Sequence, residues 1–176
     1  MKHLLIILSL FLFSFTVISC SDEKEDSTEN SGTTTTTTTD DTTKFVGVGE
    51  SGTIVRSTDN GSSFDNATSP TSNHLWGVRF GNNTFVGVGT SGTIVRSTDN
   101  GSSFSTVTSP TSNDLRGVGF GNNTFVGVGN SGTIVRSTDN GSSFSNVTSP
   151  TANSLYDVGF GNYTFVGVGT SGPIVR

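Results

Sequence analysis

Cysteine, histidine and tyrosine are almost missing from this 176-residue sequence, and each shortage removes a class of structure or chemistry. Cys20 is the only cysteine, so no disulfide can form within the chain. His74 is the only histidine apart from His3 near the amino terminus, which leaves a Ser-His-Asp catalytic set with one candidate base. The only tyrosines are Tyr156 and Tyr163. The composition therefore offers few candidate residues for the active site of an enzyme.

The sequence also lacks an apolar run long enough to cross a bilayer comfortably. Leu4 to Ile18 carries no charged side chain but spans 15 residues, whereas a transmembrane helix needs about 20. With Lys2 before it and Ser19 after it, the run predicts a signal peptide over residues 1–19. Two alternatives stay open. They are ordinary cleavage, for which Val-Ile-Ser is a poor A-x-A site, and a retained anchor, for which the run is short.

The four residues that end this run, Val17-Ile18-Ser19-Cys20, resemble a bacterial lipobox. The resemblance implies a lipoprotein in which Cys20 carries the lipid. Each buried acyl CH₂ contributes roughly 0.8 kcal/mol, so several chains hold a protein firmly on a membrane. The implied location is the bacterial cell envelope, at the outer membrane or the cell surface rather than at the inner membrane.

The net negative charge of the chain is confined to the segment that follows Cys20. Residues 21–43 hold seven acids and one base, a net charge of −6, whereas residues 44–176 hold seven of each. The acidic segment has no large apolar side chain and contains a threonine run at 33–39, so residues 20–43 are predicted to be a disordered tether. The neutral remainder has no electrostatic footprint for nucleic acid.

From Lys44 onward the sequence repeats with a period of 40 residues. FVGVG begins at Phe45 and returns three times, and the octet STDNGSSF begins at Ser57 and returns unchanged at Ser97 and Ser137. A fixed period near 40 is typical of repeat architectures, β-propeller blades among them. Abundant Gly, Val, Thr and Phe without a helical apolar stripe favour strands. The predicted repeats cover about 45–84, 85–124, 125–164 and a partial 165–176.

One period contains four short apolar segments separated by turn residues. Asn-Asn, Ser-Gly and Asn-Gly supply the positive φ angles that tight hairpins need. The predicted fold is all-β, with four-stranded antiparallel blades in a partial β-propeller-like array of about three and a half blades. In the third period the four predicted strands are Leu115–Phe120, Thr124–Val128, Thr133–Ser137 and Ser143–Thr148.

The octet STDNGSSF resembles the Asp-box of BNR repeats, found in sialidases, sortilin-type receptors and photosystem II assembly factor-like proteins. The longer phrase GVGFGNNTFVGVGxSGTIVRSTDNGSSF is most similar to the last of these. The resemblance covers residues 44–176 and implies a propeller fold, with a structural role for each box. The aspartate would accept bonds across the turn, the glycine would take a left-handed conformation and the phenylalanine would anchor the hairpin. The residues in these roles are Asp59, Gly61, Phe64, Asp99, Gly101, Phe104, Asp139, Gly141 and Phe144.

The strands predicted from the sequence do not add up to a whole number of blades. The first unit has no LxGVxF strand and the last stops at Arg176, before its box. Closed propellers usually have four to eight blades, and an open array exposes sheet edges. Two interpretations stay open, a truncated fragment of a longer repeat protein and closure by self-association with another copy.

Three further patterns have structural explanations that we prefer. Each GVGxSG stretch fits the GxGxxG dinucleotide fingerprint, but a strand follows where a helix is required. Each box offers one carboxylate, too few for calcium, so no metal and no cofactor are predicted. Four arginines invite comparison with the sialidase triad, but they share one repeated position, which favours a structural role over the turn. They are Arg56, Arg96, Arg136 and Arg176.

Differences between the repeats indicate where a partner binds. The residue after the first leucine is Trp76, Arg116 or Tyr156, and these residue types are enriched at binding hot spots. In a propeller the first strand lines the axis, so the three side chains would surround one mouth, with Arg79 and His74 nearby. The alternative is that Trp76 extends the blade core, because it alternates with Val78 and Phe80.

The predicted function is a membrane-anchored, non-catalytic binding or assembly module that presents its repeat surface to a protein or glycan. The alternatives are a sialidase-like glycoside hydrolase, which needs a catalytic set that the sequence does not supply, and a non-functional fragment.

Overall fold

The computed structural model describes residues 44–172, 174 and 175, and this part of the chain is all-β. Four antiparallel sheets follow one another along the chain, and each is a meander of consecutive strands. Sheet 1 contains β1 (Phe45–Val48), β2 (Ile54–Ser57) and β3 (Asp65–Asn66). Sheet 2 contains β4 (Leu75–Gly81), β5 (Thr84–Gly89), β6 (Ile94–Ser97) and β7 (Ser105–Val107). Sheet 3 contains β8 (Leu115–Gly121), β9 (Thr124–Gly129), β10 (Ile134–Ser137) and β11 (Ser145–Val147). Sheet 4 contains β12 (Leu155–Gly161), β13 (Thr164–Gly169) and β14 (Ile174–Val175).

These sheets confirm the predicted partial propeller of four-stranded blades, with one strand fewer at each end of the described array. In sheet 3 the first three strands match their predicted bounds to within one residue. The fourth strand is shorter than predicted and begins at Ser145. The reason is local, because the N–H of Ser143 bonds to the Asp139 carboxylate and not to the neighbouring strand.

The turns between strands have the backbone conformation that their residues favour. Asn122 and Asn123, between β8 and β9, have φ angles of 46° and 53°. Two successive positive φ angles define a type I′ hairpin turn, whose twist matches that of the flanking strands. Short 3₁₀ turns follow the second strand of a blade at Glu50–Gly52, Thr90–Gly92 and Asn130–Gly132.

The hydrophobic core lies between successive sheets. One cluster joins sheets 1 and 2, a second joins sheets 2 and 3, and a third joins sheets 3 and 4. The second cluster contains Val86, Val88, Ile94, Leu115, Val118, Phe125, Val135 and Phe144. Each sheet is therefore stabilised by the sheets stacked on its faces.

Glycine lets the first strands of neighbouring sheets approach closely. A Cβ added to Gly119 would come within 2.8 Å of the Val158 carbonyl oxygen, and one added to Gly121 within 2.1 Å of the Phe160 ring. Strands β4, β8 and β12 consequently lie side by side, as the inner strands of a propeller do.

Candidate functional site

Trp76, Arg116 and Tyr156 each occupy the extra position of a β-bulge at the start of a first strand. In β8, Leu115 pairs with Gly129 and Gly117 with Val128, so Arg116 has no partner opposite it. The same register shift occurs in β4 and β12. A bulge redirects the side chain of the extra residue.

The bulge separates these side chains from the core. Leu75 is 1% exposed whereas Trp76, the next residue, is 39% exposed, and Tyr156 is 48% exposed. Trp76 therefore does not continue the core face with Val78, which was the alternative interpretation of the sequence. Phe80 also departs from that alternation, since it is exposed and pairs with Phe85 at 4.7 Å between ring centroids.

The three bulge side chains lie together as neighbours in successive sheets. The guanidinium carbon of Arg116 lies 4.2 Å from the centre of the Trp76 ring and 5.9 Å from the centre of the Tyr156 ring. Both distances fall within the range of cation–π attraction, about 6 Å. We call Trp76, Arg116 and Tyr156 the ladder.

Polar neighbours hold the guanidinium of Arg116 in place. Its Nε donates to Asn130 Oδ1 at 3.0 Å, and one terminal nitrogen lies 3.8 Å from the Asp114 carboxylate. Asn130 Nδ2 in turn donates to Asp114 Oδ2 at 3.2 Å. Sequence reasoning missed Asn130, although its position also varies between units, as Glu50, Thr90 and Asn130.

His74 and Asp114 occupy equivalent positions and tie their sheets to the preceding one. The N–H of Ser51 donates to His74 Nδ1 at 3.2 Å, and the N–H of Ser91 donates to Asp114 Oδ1 at 2.9 Å. His74 therefore has a structural link at Nδ1 beside any role in binding.

Arg79, the remaining predicted contact residue, lies further along the first strand of sheet 2. Its side chain is exposed, and its Nε donates to the Val118 carbonyl oxygen on the neighbouring inner strand at 3.4 Å. The structure thus brings the ladder together at the start of the inner strands and places Arg79 three residues beyond Trp76.

Each Asp-box is a turn held by its aspartate. Asp99 Oδ1 accepts the Ser97 hydroxyl at 2.7 Å and the Ser103 N–H at 3.0 Å, and its Oδ2 accepts the Ser103 hydroxyl at 2.6 Å. These bonds, led by that of the Ser103 hydroxyl, lower the pKa of Asp99 to about 2. The pKa values of Asp59 and Asp139 are lowered to about 2 by the equivalent serines.

Gly101 and Gly141 have φ angles of 79° and 77°, and Gly61 has the same conformation at 83°. The box phenylalanines differ in burial. Phe104 and Phe144 are both 9% exposed, whereas Phe64 is 51% exposed. The expected anchoring of Phe64 therefore fails, because the box ring packs against the preceding sheet and sheet 1 has none among the described residues.

The repeated arginines bond to the box of the following sheet. Arg56 Nε donates to the Asn100 carbonyl oxygen at 2.8 Å, and Arg96 Nε donates to that of Asn140 at the same distance. Their position over a turn agrees with the structural role preferred above, but the turn belongs to the next blade. Arg136 is exposed.

The GxGxxG stretches that begin at Gly47, Gly87 and Gly127 each end in a three-residue 3₁₀ turn that leads into a strand, where the dinucleotide fingerprint needs a helix. Within the described residues, no three metal-ligating side chains come together and no helix has the length and apolarity to cross a membrane. Cys20, the predicted signal peptide, the predicted tether and Arg176 lie outside the described residues.

The described array is similar in fold to solved β-propeller structures. "YCF48 bound to D1 peptide" has a TM-score of 0.61 at 20% identity, covering 74% of this chain and 44% of that one. YCF48 from Cyanidioschyzon merolae has a TM-score of 0.53 at 14% identity, covering 74% and 47%. The computationally designed Ika4 protein has a TM-score of 0.59 at 15% identity, covering 74% and 82%.

No family model and no curated protein matches the sequence. The chain spans less than half the length of either YCF48 structure. At these identities the likeness shows a shared β-propeller-like fold.

Proposed function

We propose that the array is a non-catalytic module that binds a segment of a partner protein on the ladder. The observation that supports this most is the position of Arg116 beside two half-exposed aromatic rings, on bulges that turn all three side chains away from the core. A few hot-spot residues carry most of the binding energy at protein interfaces, and Trp, Tyr and Arg are enriched among them. The three residue types differ although the surrounding repeats are nearly identical, so the surface is asymmetric and suits one partner in one orientation.

A polypeptide fits this surface better than a glycan does. The ladder joins a cation to two rings, and the carboxylate of Asp114 lies beside Arg116. Arg79, three residues beyond Trp76 on the same strand, adds a second positive charge for the backbone and side-chain groups of a peptide. YCF48, whose fold is similar, has been solved with a D1 peptide. The sialidase-like alternative is not favoured, because Arg56 and Arg96 bond to box carbonyl groups instead of facing a common pocket.

The proposal includes the membrane anchor and the repeat family. Cys20 carries lipid, the acidic residues 21–43 act as a spacer, and the array stands off the surface of a bacterial cell envelope. The lipobox and the single cysteine support the anchor. The serine and aspartate bonds of three identical turns support kinship with BNR/Asp-box repeats.

Affinity capture from an envelope extract tests the ladder. The triple change Trp76→Ala, Arg116→Ala and Tyr156→Ala should abolish capture of the partner and leave the melting temperature within a few degrees of that of the wild type, since the rings are outside the core. The matched control is Tyr163→Ala. Tyr163 is 89% exposed in the turn between β12 and β13, outside the ladder, so its loss should leave capture unchanged.

Two outcomes would contradict the proposal. If the triple variant unfolds, the ladder belongs to the stabilising core. If it folds and captures the same proteins as the wild type, the binding surface lies elsewhere on the array.

A further inference from the structure

Each Asp-box contains the dipeptide Asn-Gly, which is prone to deamidation, a reaction that needs no enzyme. The backbone nitrogen of the glycine attacks the side-chain carbonyl carbon of the asparagine, and the new C–N bond closes a succinimide ring. The side-chain nitrogen leaves as ammonia, carrying the proton of the glycine N–H. Water then opens the ring to aspartate or to isoaspartate. Glycine favours the attack because it has no Cβ to crowd its nitrogen.

In the box of sheet 3, hydrogen bonds restrain both reacting groups. The N–H of Gly141 donates to Ser137 Oγ at 2.8 Å. Asn140 Nδ2 donates to Thr84 Oγ1 at 2.7 Å and to the Asn82 carbonyl oxygen at 3.3 Å, both on sheet 2 or in its first hairpin turn. The side chain of Asn140 can therefore turn towards the glycine nitrogen only after its bonds to sheet 2 have opened.

The product of deamidation is also unfavourable at Asn140. Its Oδ1 is buried and has no hydrogen-bond partner within the described residues. A carboxylate accepts hydrogen bonds but donates none, so the bond to the Asn82 carbonyl oxygen would be lost and the new charge would be partly buried. Burying a charge without donors costs free energy. The contact with sheet 2 therefore protects Asn140 from the reaction.

The box of sheet 2 has the same local sequence and the same turn. Residues 92–105 and 132–145 are identical. The N–H of Gly101 donates to Ser97 Oγ at 3.0 Å, as the equivalent groups do in sheet 3. Any difference in reactivity between the two boxes must therefore come from what is packed against them.

What is packed against Asn100 differs from what is packed against Asn140. Asn100 is exposed whereas Asn140 is half-buried. Lys44 stands at the position in sheet 1 that corresponds to Thr84 in sheet 2, so the hydroxyl that accepts from the Asn140 amide has no counterpart. An exposed side chain needs a smaller local opening to reach the glycine nitrogen.

We propose that Asn100 is a site of spontaneous deamidation in the folded array and that Asn140 is protected. Each event replaces a neutral amide with a carboxylate. In isoaspartate the main chain runs through the former side chain, so the carbonyl group that accepts from Arg56 Nε at 2.8 Å becomes a free carboxylate. The modification thus changes the contact between sheets 1 and 2. It does not depend on the ladder or on a partner.

Tryptic peptide mapping of the aged full chain tests the proposal, because cleavage after arginine separates the identical boxes. Residues 97–116 carry Asn100 and residues 137–176 carry Asn140. After incubation of the folded chain at mildly alkaline pH, mass spectrometry should find aspartate and isoaspartate at Asn100. Asn140 should react at least about fivefold more slowly, since one net hydrogen bond of about 1 kcal/mol corresponds to that factor.

Two controls separate tertiary protection from local sequence. In urea the two asparagines should react at the same rate, because the residues around them are identical. In the folded chain, Thr84→Ala should raise the rate at Asn140 by removing an acceptor of its amide. Thr124→Ala is the matched variant, since Thr124 is the equivalent buried threonine of sheet 3, and it should leave the rate at Asn140 unchanged.

Equal rates at Asn100 and Asn140 in the folded wild type, or a faster reaction at Asn140, would overturn the proposal. A difference that persists in urea would overturn it too, because the fold would then not be its cause. So would a folded chain in which neither asparagine reacts while both react in urea. If Thr84→Ala melts like the wild type and leaves the rate at Asn140 unchanged, the proposed protection by sheet 2 is wrong.

Discussion

Three hydrogen bonds from two serines lower the pKa of the aspartate in each Asp-box. For Asp99 the hydroxyl of Ser103 contributes most, followed by the Ser103 N–H and the Ser97 hydroxyl. The folded pKa is about 2, against an ordinary value of 3.8. A carboxyl group whose pKa is lowered by folding stabilises the fold above its unfolded pKa and loses that contribution as the pH falls through its folded pKa.

We therefore expect the array to lose stability between about pH 4 and pH 2 as the three box aspartates are protonated. The comparison is with a variant in which Asp59, Asp99 and Asp139 are all changed to Asn. Urea midpoints measured from pH 6 to pH 2 should show an advantage of the wild type that shrinks on acidification. An advantage that stays constant over this range would contradict the pKa values.

A single box aspartate contributes modestly, because its donors face water. Asp99→Ala should lower the free energy of unfolding by about 1 kcal/mol, the net value of a hydrogen bond or two that water partly replaces. Asp65→Ala is the control, since Asp65 is exposed outside any box and should change stability by less than about 0.5 kcal/mol. Equal urea midpoints for the two variants would show that the box bonds do not stabilise the turn.

At the scale of the element, the inner strand depends on glycine only where another sheet covers it. Gly121 and Gly161 occupy the same position in consecutive repeats. An added Cβ would collide with the Phe160 ring at Gly121, whereas it would meet nothing within 4 Å at Gly161. The loss of stability when either glycine is substituted therefore measures how closely the next sheet packs against it, and not the conformation of its own strand.

We expect Gly121→Ala to cost about 1 to 3 kcal/mol, as overpacking does in other cores. Gly161→Ala should remain within about 0.5 kcal/mol of the wild type. Thermal melts of the two variants decide the matter. If both are equally destabilised, the glycines serve strand conformation and the close stacking of β8 on β12 is wrong.

At the scale of the whole molecule, the anchor is expected to determine where the array works. Metabolic labelling with a fatty acid should mark the wild type and not Cys20→Ala, because Cys20 is the only thiol available for the lipid. Ser21→Ala, one residue away, should be labelled like the wild type. Equal labelling of the cysteine variant would remove lipidation from the proposed function.

Much of the fold was predictable because its determinants are local. Asn-Gly and Asn-Asn select hairpin turns, and the bonds within a box join residues two and four positions apart. The bulge was not predictable, because Arg116 becomes the extra residue only through pairing of β8 with β9. The alternation of Trp76 with Val78 even suggested the wrong face for Trp76.

The sequence by itself determined the 40-residue period, the order of the strands and the serine–aspartate turn, since each depends on contacts within a few residues. Tertiary structure alone decided which faces of the repeats are covered by a neighbouring sheet. Arg56 reaches a carbonyl group 44 residues away, and identical box phenylalanines are buried or exposed according to what packs against them. The physical reason is that repeats of nearly identical sequence bury different surfaces, because the area that each repeat buries depends on the neighbouring repeat packed against it.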